Sequence, residues 1–83
     1  MPRYLDHHPT SPDMPAAVVA AIAQRLENGE VDEFGERGIN VFIGSEQTYC
    51  YTEAPDVDAV RKSHSVLGID LRLEDVQEVK VLP

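Results

Sequence analysis

Residues 39–52 read INVFIGSEQTYCYT, two runs rich in β-branched and aromatic residues around a short polar break, Gly44-Ser45-Glu46-Gln47. Runs of that composition favour pleated strands, and so short a connection pairs them as an antiparallel hairpin. Upstream, the spacing predicts a helix over residues 14–27, with Asp13 as N-cap, Pro15 in the first turn and Asn28-Gly29 as a left-handed stop. Val19, Ile22 and Leu26 recur there at i, i+3 and i+7, the pattern of a core-facing stripe. Before that helix, residues 2–8 (PRYLDHH) form a first strand, followed by a proline-rich loop. The acidic, glycine-punctuated stretch 30–38 reads as an irregular connector, its acids solvated. Downstream, Asp56 caps a second helix that runs to about Leu67 and stops at Gly68, and VQEVKVL (76–82) supplies a last strand.

The order is β-α-β-β-α-β, which predicts one ferredoxin-like α+β domain over residues 1–83, with a four-stranded antiparallel sheet and two helices on one face. The other face is left open, and a homodimer closing sheet on sheet is the expected cover. With 83 residues, the chain buries only about 60–65% of its unfolded surface, and one cysteine forms no internal disulfide. Association is the remaining stabiliser.

Fifteen acids against seven bases give a net charge of −8. That excludes a basic nucleic-acid surface and disfavours docking on an anionic membrane. The opening MPRYLDHH lacks the apolar run of a signal peptide, and the lone thiol fits a reducing cytoplasm. A glycine-rich phosphate loop, a serine elbow and a paired-cysteine zinc motif are all absent from the sequence.

Metal-type side chains are concentrated at Asp6-His7-His8, which hold two of the three histidines. Strand alternation puts Tyr4, Asp6 and His8 on one face and Arg3, Leu5 and His7 on the other. A two-residue turn at Ser45-Glu46 would send Val41 and Cys50 to the helix-covered face. Asn40, Phe42, Tyr49, Tyr51 and Glu53 would then lie on the open one. If the first and third strands are adjacent and parallel, His8 and Glu53 meet. Asp6, His8 and Glu53, beside Tyr49 and Tyr51, would then form an imidazole–carboxylate pocket on the open face. Such donors suit Ni²⁺, Zn²⁺, Cu²⁺ or Fe²⁺ better than Ca²⁺ or Mg²⁺. His64 falls on the apolar stripe Val57, Val60, His64, Leu67, and so reads equally as a core histidine or a ligand. Cys50 reads as a small apolar filler or, beside a cation, as a thiolate ligand.

These residues resemble a small bacterial family catalogued as domain of unknown function 4242. The likeness lies in Pro2-Arg3-Tyr4-Leu5-Asp6 with His8, Tyr49-Cys50, Glu53-Ala54-Pro55, residues 56–60, residues 64–68 and Val76-Gln77-Glu78-Val79. Members of that family are often described as nickel-binding and ferredoxin-like. The resemblance implies a dimer holding a divalent metal, with Asp6, His8, Glu53 and His64 as ligand positions and Cys50 matching as well. Two other functions compete. One is a dimeric α/β-barrel enzyme of oxygenase or isomerase type, with His64 or His7 as acid–base near Tyr49 or Tyr51 and a cavity to hold substrate. The other is an interaction module whose open sheet binds another protein.

Overall fold

A computed structural model describes residues 1–83. The strands are β1 (Arg3–Pro9), β2 (Arg37–Ile43), β3 (Gln47–Glu53) and β4 (Val76–Val79), and the helices are α1 (Ala16–Asn28) and α2 (Val57–Ser65). A 3-10 turn, Leu73–Asp75, leads into β4. The hairpin forms in the predicted register, with Val41 opposite Cys50 and Phe42 opposite Tyr49. Its turn requires glycine: the Gly44 N–H donates to the Gln47 carbonyl at 2.9 Å, and a Cβ at Gly44 would stand 2.7 Å from that oxygen. Thr10 ties the end of β1 to this turn, its hydroxyl donating to the Gly44 carbonyl at 2.7 Å.

The sheet order is β2-β3-β1-β4 and every pairing is antiparallel, the ferredoxin-like α+β arrangement. One expectation is corrected here. β1 and β3 are adjacent but antiparallel, not parallel. The crossover through α1 returns β2 parallel to β1, and the hairpin then reverses β3 against both.

α1 starts later than predicted because Met14 precedes Pro15, and a residue before proline is kept out of the helical region. Asp13 therefore caps nothing, and Pro15 takes the N-cap position with no side-chain bond. The helix rests on β2, where Leu26 fits against Gly38; a Cβ at Gly38 would lie 2.7 Å from Leu26 Cδ2. Ile22 and Leu26 are half-buried, but Val19 remains 38% exposed, so the predicted stripe is only partly covered. No helix is long and apolar enough to cross a membrane.

The packed core lies under α2 instead. Tyr4, Ala54, Ala59, Val60, Leu71 and Val76 form it, with Phe34, Val57 and Ile69 against its edge. Asp56 caps α2 as predicted, its Oδ1 accepting the Ala59 N–H at 2.8 Å. Replacing it with alanine is expected to cost about 0.5–2 kcal/mol, read as a lower urea midpoint at unchanged slope. The helix ends at Ser65, so Leu67 leaves the stripe and is exposed. β4 also ends sooner than predicted, at Val79.

Candidate metal centre

Cross-strand partners share a face. Asp6 pairs with Cys50, and Tyr4, on the same face as Asp6, belongs to the core beneath α2. Asp6 and His8 therefore point under the helices with Cys50, not onto the open face as the sequence suggested. The antiparallel register also separates two residues expected to meet, since His8 lies opposite Thr48 while Glu53 lies opposite Arg3 at the other end of β1. Glu53 is thus corrected from ligand to ion-pair partner, its Oε2 lying 3.3 Å from Arg3 Nε and 3.5 Å from Arg37 Nη2. Tyr51 stays with that group, its hydroxyl accepting from Arg3 at 2.9 Å.

Four residues converge instead. One ligand atom each from Asp6, His8, Cys50 and His64 falls within 4.8 Å of all the others. β1 supplies two, β3 one and α2 the fourth. His64 reaches the cluster from α2, its Nε2 lying 3.3 Å from Asp6 Oδ1. His8 Nε2 stands 3.9 Å from Cys50 Sγ, and the two imidazoles meet edge to face at 5.7 Å.

Backbone carbonyls orient both rings. His64 Nδ1 donates to the Val60 carbonyl at 2.9 Å, and His8 Nδ1 donates to the Pro9 carbonyl at 3.1 Å. A carbonyl only accepts, so Nδ1 carries the proton in each ring and Nε2 faces the cluster. Histidine ligands of metals are commonly fixed in this way.

Asp6 is the anomaly. Its side chain is 0% exposed, and neither oxygen receives a well-aligned hydrogen bond; the His64 contact is a charge contact outside that geometry. A buried carboxylate without such bonds is costly unless a cation sits beside it. Burial works against a charged His64, but Asp6, Cys50 and the Val60 carbonyl outweigh it and push the imidazole up to about 11. Burial likewise raises the Cys50 thiol, only partly offset by His64.

Glu36 escaped the sequence reading, which left it among solvated acids. Asp32 turns the loop before β2, its Oδ1 accepting the N–H groups of Phe34 at 2.9 Å and Glu36 at 3.0 Å. Ser63 donates to Asp32 Oδ2 and pins that loop to α2. The Glu36 carboxyl is thereby held inward, one oxygen buried without a partner. Burial pushes it up to about 7, against the pull of His64 and Ser63 and with the help of Asp32 and Asp6. Its one sequence signal was Asp32-Glu33-Phe34-Gly35, with Asp and Gly where a tight turn wants them.

His7 occupies the opposite face, Nε2 3.9 Å from Asp75 Oδ1, its ring 6.3 Å from that of Tyr49. It lines a groove of about 550 Å³ with His8, Gln47, Tyr49, Arg72 and Asp75. His8 thus touches both the groove and the cluster.

Fold and site together define a ferredoxin-like domain carrying a buried mixed nitrogen, sulfur and oxygen cluster that could hold a metal ion. No protein-family model, curated protein or solved structure matches the chain.

Proposed function

We propose that this domain binds one divalent first-row transition ion between β1, β3 and α2, for sequestration, sensing or delivery. His8 and His64 would supply Nε2, Cys50 a thiolate and Asp6 a carboxylate. The observation that carries the reading is Asp6, a wholly buried carboxylate with no well-aligned hydrogen bond, set among His64 and two other metal-type donors. Two imidazoles, a thiolate and a carboxylate make a borderline set suited to Ni²⁺, Zn²⁺, Cu²⁺ or Fe²⁺. Nickel is the ion favoured by the resemblance to the 4242 family.

Elemental analysis of protein purified without an affinity tag tests this, together with calorimetric titration by Ni²⁺. A dissociation constant of about 1 µM or lower is expected, about −8 kcal/mol. His8→Ala is expected to abolish most of the heat; unchanged heats in that variant would remove the assignment.

For the open face we propose a second copy of this chain. Leu5, Phe42, Tyr49 and Tyr51 lie there beside both Arg3 and Glu53, with Phe42 56% exposed. Apolar surface with charges of both signs is self-complementary, as a twofold interface requires. Sedimentation should give a dimer that Phe42→Glu converts to monomer, and a monomeric parent chain would discard the idea.

A further inference from the structure

We propose that the groove beside the free edge of β1 is the port by which the ion enters and leaves the buried centre, with His7 as its first ligand. This rests on the metal reading above. Asp6, Cys50 and His64 are buried, and His8 alone of the four donors is half-buried. It is also the only one of them on the groove wall. An ion arriving along the groove therefore meets His8 before the other three.

The opening comes from the sheet itself. β4 begins at Val76, opposite Asp6, whereas β3 accompanies β1 as far as Pro9. His7, His8 and Pro9 thus have a strand on one side and none on the other. Asp70, Arg72 and Asp75 supply wall there, around a space of about 550 Å³. Alternation sends His7 and His8 to opposite faces, yet a groove at a free edge takes both. They serve the ion in succession rather than together.

His7 is placed for capture. Its side chain is exposed, and its Nε2 lies 3.9 Å from Asp75 Oδ1. Arg72 fixes that carboxylate, its N–H donating to Oδ2 at 3.0 Å and its Nη2 to Oδ1 at 3.1 Å. Imidazole beside carboxylate suits the same borderline ions as the inner cluster. The guanidinium repels a cation, so the ion is held weakly here, and a transit site must release what it binds. His8 takes the ion next. Its Nδ1 bonds no farther than the Pro9 carbonyl, whereas the His64 ring is fixed within α2.

Stopped-flow mixing of the metal-free chain with cobalt(II) tests this, because a thiolate-to-cobalt charge-transfer band appears only once the ion reaches Cys50. His7→Ala should slow the appearance of that band about tenfold, the low end of what a charge-focusing cleft adds to an association rate. A chase with excess chelator should show release slowed by the same factor. A port speeds passage both ways, so the dissociation constant should not move. His7→Lys sets a positive charge in the entrance and should slow loading further; it also covers the case in which the alanine variant does not fold. Unchanged loading rates in both variants, with the band intact, would overturn the port alone. Affinity lost through faster release would do the same, since it would make His7 a ligand of the final site. A parent chain that never develops the band would overturn the metal centre and this inference with it.

Discussion

His64→Ala is expected to destabilise the metal-free domain by about 3–5 kcal/mol, the range for removing one partner of a buried ion pair. The loss comes mainly from Asp6. With the imidazole gone, a carboxylate with no exposed surface and no hydrogen-bond donor has no neighbouring cation. A domain of this size has about 4–12 kcal/mol of stability in all, so the variant should be near its unfolding threshold at room temperature. Substituting both partners by leucine should recover much of the loss, because replacing a buried pair with apolar groups is often neutral or better. Urea unfolding of the two single variants and the double variant measures the coupling directly. Additive effects, or a loss under about 1 kcal/mol for His64→Ala, would show that the pair is not what holds α2 to β1.

The pair also sets a pH dependence. His64 is raised from 6.5 to about 11 in the folded state. Folding therefore binds a proton between those values, and stability falls as pH rises through them. This contribution is complete below about pH 6.5 and gone above about pH 11. Metal-free protein should melt at progressively lower temperature from pH 7 to pH 10, and His64→Ala should flatten that slope.

Loading the centre should release about two protons per ion at neutral pH. Metal ligation requires a thiolate and a neutral imidazole, yet burial keeps the Cys50 thiol protonated and His64 is held charged. Calorimetry in buffers of different ionisation enthalpy counts these protons, and apparent affinity should climb with pH accordingly. At free metal about 100-fold above the dissociation constant, binding adds about 2.7 kcal/mol, which raises Tm by about 10–20 °C in a domain of this length. Heats that do not depend on the buffer, or a Tm that metal leaves unmoved, would contradict the ligand set.

The hairpin, the Asp56 cap and the order of elements were legible because each depends on neighbours in sequence. Turn glycines, a capping carboxylate and alternating β-branched residues act locally. The helix ends were less so: Pro15 delayed α1 by restricting the residue before it, a local effect outweighed in the reading by Asp13. The composition of the site was nearly legible too, since Asp6, His8, Cys50 and His64 were all singled out as metal-type residues.

Their meeting was not. Cys50 was already placed on the helix side, but linking it to Asp6 required the antiparallel pairing of β1 with β3, a register between strands more than forty residues apart. That pairing also sent Glu53 to its arginines, and the seating of α2 brought His64 to Asp6. Glu36 depended on a turn docking against a distant helix through Ser63. Local chemistry thus determined which donors this chain possesses and which elements carry them. Only the long-range register and the seating of α2 decided which donors share a buried space, because carboxylate burial and charge coupling exist only once those surfaces close.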